Sequence, residues 1–187
     1  MRFLVIGTGA REHALCWKLA QEAEVFASPG NPGIASCANE VFDVPVMDLA
    51  GQVRLAKNLR PDCIVVGPED PLIAGLADAL RAEGFNVFGP GKEEAQLEGS
   101  KAFAKQMMAR AGVPTAGCQV FTEAQSALDH LSALYGEGRQ AAVKASGAAL
   151  GKGVVVAETL EEAQDAIQMM MVAKDLGSAG DEVVIED

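Results

Sequence analysis

Close to the start of the chain, one short run gathers residues able to do chemistry: Gly7-Thr8-Gly9-Ala10-Arg11-Glu12-His13. It follows the apolar segment 2–6 and opens a helix-forming stretch. In that setting the unpaired N–H groups of a helix start can bind phosphate. A dinucleotide fingerprint would put a third glycine where Glu12 stands and an acidic residue at the end of the second strand to hold a ribose. The second strand runs instead into Ser28-Pro29-Gly30, which disfavours a nicotinamide-dependent oxidoreductase. A tight turn with no ligand stays open as the plain alternative. His13 lies one turn inside the helix, where it could face the same mouth as Arg11 and Glu12, whereas His130, on the polar side of a later helix, reads as a surface residue.

The string from Gly7 to His13 resembles the opening turn G-x-G-G-R-E-H-A of the phosphoribosylamine-glycine ligases, with Ala10 in place of one family glycine. The resemblance continues in Pro29-Gly30-Asn31, similar to the family's P-G-N loop, and in Gly67-Pro68-Glu69 with Pro71-Leu72, similar to its G-P-E-x-P-L loop. These loops follow strands one, two and four, at the carboxyl ends where open α/β sheets place ligands. The resemblance implies that Gly7, Gly9, Arg11, Glu12, His13, Pro29, Gly30, Asn31, Gly67, Pro68 and Glu69 bind the ribose phosphate and amine of phosphoribosylamine. Glu69 would accept from ligand hydroxyls or the amine; the alternative is a solvated loop carboxylate.

Gln96-Leu97-Glu98-Gly99-Ser100-Lys101 resembles the family's Q-L-E-G-S-K, in which Lys101 belongs to the ATP site. The run 144–153 resembles the K-A-x-G-x-A-x-G-K-G hairpin of ATP-grasp enzymes and contains Lys144, Gly147, Gly151, Lys152 and Gly153. Lys144 ends a buried strand and can aim an ammonium at phosphate, while the glycines let backbone N–H groups fold over a triphosphate. No Gly-Lys-Ser or Gly-Lys-Thr leads into a helix, so this is not a P-loop; an unliganded hairpin turn is the alternative. Val183-Val184-Ile185-Glu186-Asp187 looks like the hinge strand V-I-E-E, with Asp187 where the family has Glu, and the resemblance turns Glu186 toward adenine.

Taken along the whole chain, the resemblance implies an ATP-dependent carbon-nitrogen ligase acting on phosphoribosylamine and glycine, with Mg2+ or Mn2+. Electrostatic clamping by lysines and metal carries most of such phosphoryl chemistry. The family's metal ligands belong to a second ATP-grasp lobe, expected beyond Asp187, so no metal site is assigned and the chain is expected to be inactive alone. The expected partners are small molecules (phosphoribosylamine, glycine and ATP), and the complete enzyme is expected to be a monomer. A stand-alone phosphate- or nucleotide-binding module without catalysis is the alternative.

The bulk composition agrees with such a reading. A net charge of -11 without a basic cluster argues against nucleic acid, though not against small anions held by a few lysines and backbone amides. Hydrophobic residues at 49% with aromatics at only 5% predict an aliphatic core. Cys16, Cys37, Cys63 and Cys118 show no C-x-x-C pair and read as reduced apolar residues rather than zinc ligands. The first apolar run ends at Gly7, too short for a signal peptide, and charges such as Asp48, Arg54 and Lys57 interrupt every longer stretch. No membrane contact and a cytoplasmic location are expected.

Short aliphatic runs alternating with helix-length segments must position these residues. Strands are predicted at 2–6, 24–27, 41–44, 63–66 and 86–88, and helices at 12–21, after Asp48, at 72–83 and at 100–111, with a loop at 28–33. Gly112-Val113-Pro114 ends the last of these helices and marks the expected boundary. Beyond it, capping boxes at Thr122 with Gln125 and Thr159 with Glu162 predict two helices, with strands at 141–145, 153–157 and 182–185. The fold class is therefore α/β: an open parallel sheet with flanking helices over 1–112, followed by a small α+β lobe over 113–187. The resemblance implies that the first is a Rossmann-like, pre-ATP-grasp domain and the second the first lobe of an ATP-grasp fold.

Overall fold

The structure is a computed structural model that describes residues 1–149 and 153–187; it divides into two compact units, Met1–Ala95 and Gln96–Asp187. The first unit runs β1 (Arg2–Gly7), α1 (Ala10–Leu19), β2 (Glu24–Pro29), α2 (Pro32–Ala35), β3 (Glu40–Val41), α3 (Leu49–Leu59), β4 (Cys63–Val66), α4 (Glu69–Ile73), α5 (Leu76–Ala82) and β5 (Val87–Phe88). Its strands pair in parallel in the order β3-β2-β1-β4-β5. β1 is central and apolar from Phe3 to Ile6, because both faces of the sheet are covered there. Leu4 and Ile6 pack with Ile64, Leu76 and Leu80 on one face, and Val5 packs with Cys16, Val25 and Ile34 on the other. The chain winds outward from β1 in both directions, to β2 and to β4, which makes the carboxyl ends of these three neighbours the place where a crevice opens.

The second unit runs α6 (Gln96–Gly99), α7 (Lys101–Ala111), β6 (Cys118–Phe121), α8 (Ala124–Gly136), β7 (Ala141–Ala145), β8 (Val154–Ala157), α9 (Leu160–Ile167) and β9 (Val183–Glu186). Its antiparallel sheet has the order β6-β9-β7-β8. Side chains alternate across a strand, so Ala141, Val143 and Ala145 of β7 enter the core beneath Leu131 of α8 and Ile167 of α9. Ala142 and Lys144 project from the opposite face.

Several predicted elements differ from those observed, each for a local reason. The predicted 72–83 helix is two helices, since the chain turns at Gly75, whose φ of +95° suits glycine. Helix 12–21 starts earlier, at Ala10, and the expected loop at 28–33 already contains α2, capped by Asn31. The Thr122 capping box does not form: the helix begins at Ala124 behind Glu123, which makes no side-chain cap. Thr159 does cap α9, accepting from the Glu162 amide. β6 was unforeseen, because its pairing partner β9 lies more than sixty residues on. The division into units falls at 95/96 rather than at Gly112, so α7 lies in the second unit, where Lys101 N donates to Ser146 O at 2.8 Å.

Candidate functional sites

In the first unit, loops after β1, β2 and β4 are tied to one another. Gly30 N donates to Gly7 O at 3.2 Å, and Asn31 Nδ2 donates to Thr8 O at 2.7 Å. Arg11 Nη1 donates to Gly67 O at 3.0 Å, and Arg11 Nη2 stands 3.4 Å from Glu69 Oε2. The arginine is well exposed, so this contact holds the loops loosely and leaves its guanidinium within reach of a ligand. Gly30 sits at φ +72°, where a side chain would meet Val41. Pro29 follows a cis peptide bond at the end of β2, and Pro68 is the N-cap of α4.

Glu12 takes a place that its sequence position did not announce. Only 3% exposed, it turns back beneath the turn, and its Oε2 accepts the Gly9 amide at 2.6 Å. A β-carbon on Gly7 would stand 2.5 Å from Glu12 Cγ, one on Gly9 2.8 Å from Oε2, and one on Gly67 would overlap the same carboxylate. The three glycines are therefore the walls of a slot for Glu12. The Gly9 amide is committed internally, which leaves the next amides of α1, without intrahelical partners, as the donors a phosphate would meet. His13 packs on Gly33 of α2, where an added β-carbon would lie 2.7 Å from its Cε1.

In the second unit a cluster of charges forms on the sheet face away from the helical core. In the β7–β9 register Ala142 lies opposite Glu186 and Lys144 opposite Val184, so Lys144 and Glu186 are diagonal neighbours on one face. Lys144 Nζ lies 2.5 Å from Glu186 Oε2. From α7, Lys105 Nζ lies 3.1 Å from Glu186 Oε1, and Lys101 Nζ donates to Gly147 O at 3.3 Å. Burial would raise the Glu186 carboxyl, but its bonds to Lys144 and Lys105 outweigh that and hold it below its ordinary value. Burial, and secondarily the like charge of Lys144, lowers the Lys101 ammonium.

Ser146 joins α7 to the end of β7: its Oγ accepts the Ala102 amide at 3.1 Å and lies 3.2 Å from Ser100 Oγ, and Ser100 caps α7. Gly147 packs so closely on Ala179 that a β-carbon would approach its Cα to 2.6 Å, and Gly153 O accepts from Ala145 N. Gly151 and Lys152 lie outside the described residues. An open hollow of about 270 Å³ beside Glu186 is lined by Ala142 and Val156 among others. Lys105 was missed by the sequence reading; its signal was the four-residue spacing from Lys101, which puts both on one face of a helix.

Among the described residues no helix is long and apolar enough to cross a membrane, and no three His, Cys, Asp or Glu side chains gather into a set able to hold a metal ion.

Residues 1–98 match the family described as phosphoribosylglycinamide synthetase, N domain, and residues 99–187 its ATP-grasp (A) domain. The chain is 46% identical to the phosphoribosylamine-glycine ligase of Haemophilus influenzae and 48% to that of Vibrio parahaemolyticus, in each case over all of this chain and 44% of the relative. The chain thus spans less than half the length of the curated relatives it matches. A crystal structure of phosphoribosylamine-glycine ligase from Thermotoga maritima superposes with TM-score 0.77 at 28% identity, covering 100% of this chain and 44% of that one. An N5-carboxyaminoimidazole ribonucleotide synthetase in its ADP complex shares the fold, with TM-score 0.73 at 17% identity over 99% of this chain and 46% of the other. With both domain matches in sequence order and together running from the first residue to the last, the chain belongs to the phosphoribosylglycinamide synthetase family.

Proposed function

We propose that this chain supplies the phosphoribosylamine-binding unit and the first ATP-binding lobe of a phosphoribosylamine-glycine ligase of purine biosynthesis. In that reaction the γ-phosphoryl group of ATP passes to a carboxylate oxygen of glycine, giving ADP and glycyl phosphate. The amine of phosphoribosylamine then attacks the acyl carbon. The C–N bond forms as the C–O bond to phosphate breaks, and the amine loses a proton, which leaves glycinamide ribonucleotide and inorganic phosphate. A divalent cation, Mg2+ or Mn2+, belongs to this chemistry, but its roles fall to residues other than those assigned here. A cytoplasmic site of action and a monomeric complete enzyme fit the same reading.

The observation that carries it is the pair of lysines in the second unit. Lys101 and Lys144 come from different elements, yet Lys101 N donates to Ser146 O at 2.8 Å and its Nζ to Gly147 O at 3.3 Å, which sets it at the end of the strand that carries Lys144. The like charge of Lys144 adds to burial in lowering the Lys101 ammonium. In an acidic chain such juxtaposed ammonium groups favour a polyanion, and a triphosphate supplies one. The hollow beside Glu186 suits the base, with Lys144 and Gly147 toward the phosphates. In the first unit, Arg11, Asn31 and Glu69 with the amides of α1 would receive the ribose phosphate and amine.

Calorimetry with ATP tests the proposal. Each charge-assisted hydrogen bond is worth roughly 1.5–3 kcal/mol, so Lys101→Met or Lys144→Met should weaken ATP binding about ten-fold or more. Ribose 5-phosphate binding should stay unchanged in both variants. ATP affinity within two-fold of the parent in both would overturn the assignment of these lysines.

A further inference from the structure

We infer that Lys105 is a positioning residue of the nucleotide site: it fixes the carboxylate of Glu186, and Glu186 in turn aims the ammonium of Lys144. This rests on the ATP-binding reading above and adds a residue that would not itself touch the nucleotide.

The argument begins with donors. A lysine ammonium has three N–H groups. Lys105 Nζ lies 3.1 Å from Glu186 Oε1, 2.7 Å from Thr115 Oγ1 and 3.0 Å from Ala116 O, and its side chain is only 10% exposed. Every donor is engaged and little of the group is accessible, so it has nothing left for a phosphate. Lys144 differs: its one partner among the described residues is Glu186, and its side chain is 23% exposed. It keeps donors to offer a ligand.

Glu186 joins the two. Each of its oxygens is held by a different ammonium, Oε1 by Lys105 and Oε2 by Lys144, in a side chain 14% exposed. A carboxylate gripped at both oxygens cannot rotate without losing a charge-assisted bond. Without Lys105, Oε1 would be left unpaired in a poorly hydrated place, and the carboxylate would turn both oxygens to Lys144. That would take up donors that face the ligand. The anchors of Lys105 suit this role, because Thr115 and Ala116 lead into β6, and Cys118 of β6 lies opposite Glu186 in the sheet. The neighbouring carboxylate, Asp187, is engaged separately by Arg139.

Lys105 also adds positive charge, and a double-mutant cycle separates that effect from positioning. Lys105→Met and Glu186→Gln are made singly and together, and ATP affinity is measured by calorimetry. If Lys105 acts through Glu186, its replacement weakens ATP binding about five-fold or more in the parent and less than two-fold in the Glu186→Gln background. Equal weakening in both backgrounds would overturn the inference, since Lys105 would then act directly or through its field alone. Lys105→Gln, which keeps a donor for Thr115 and Ala116, should behave like Lys105→Met, and it replaces that variant should the latter not fold.

A second measurement needs no nucleotide. The carboxyl carbon resonance of Glu186 should titrate at higher pH once Lys105 is replaced, and an unmoved midpoint would refute the grip on Glu186. Absence of ATP binding by the parent would instead count against the function proposed above and leave this titration to decide.

Discussion

The Glu12 carboxylate reaches back three residues to accept the amide of Gly9 at 2.6 Å, and the same carboxylate leaves no room for a side chain at Gly67. One buried acid thus pins the turn after β1 against the loop after β4. Among the described residues its Oε1 has no hydrogen-bond partner, and Arg11 Nε stands 3.7 Å from it. The slot is consequently sensitive to any added atom.

Gly67→Ala should therefore destabilise the first unit by about 1–3 kcal/mol, the usual cost of overpacking a filled site. The penalty should shrink in a Glu12→Ala background, where the overlapping carboxylate is gone. Urea denaturation of the four proteins checks this, and an equal penalty in both backgrounds would show that something other than Glu12 excludes the methyl group.

Ser146→Ala should loosen the start of α7. The serine is 4% exposed and its Oγ is the acceptor for the buried Ala102 amide. Leaving that donor unpaired costs about 1–3 kcal/mol. Hydrogen exchange should report faster exchange at Ala102 with little change in the strands of the first unit. Unaltered protection at Ala102 would contradict the assigned bond.

Two groups of the second unit give opposite pH signatures. The folded pKa of Glu186 lies below its ordinary value because its bonds to Lys144 and Lys105 outweigh burial. Its stabilising contribution is thus complete above the unfolded carboxyl pKa and is lost as pH falls through the folded one. The stability advantage of the parent over Glu186→Gln should shrink on acidification. Lys101 is lowered by burial and then by Lys144, so the folded state binds its proton less well than the unfolded state. Its charge costs stability below the folded pKa, and the cost disappears as pH rises through the ordinary lysine value. Lys101→Met should accordingly be more stable than the parent at neutral pH even though it binds ATP less well. Denaturation across a pH series would expose the reverse order.

Cys16 should resist alkylation in the native protein. Burial, with smaller contributions from Cys37 and Glu12, pushes its thiol up to about 12, and the side chain is inaccessible. Thiolate is the reactive form, so little is present at mildly alkaline pH. Peptide mapping after iodoacetamide treatment should find Cys16 unmodified until denaturant is added. Native labelling as fast as at the partly exposed Cys37, Cys63 and Cys118 would count against this environment.

Much was legible in the sequence alone. Apolar runs at β1 and β4 announced buried parallel strands because a strand covered on both faces needs no polar alternation. Asp48, Ser100 and Thr159 announced helix starts because the capping bond lies within three residues of the chain. The motif order likewise pointed to the family before any coordinates. What only the tertiary structure decided were relationships between residues distant in the chain. β6 has weak local character and exists through β9. Glu12 looked like a ligand-facing acid of an exposed turn, but glycines from two separate loops make room for it beneath the surface. Lys105 drew no notice in the sequence, because its partner Glu186 reaches it only once β9 is in place. Local pattern encodes which backbone a segment adopts, whereas the partner of a charged side chain depends on which strands meet, and that is settled only when the sheet closes.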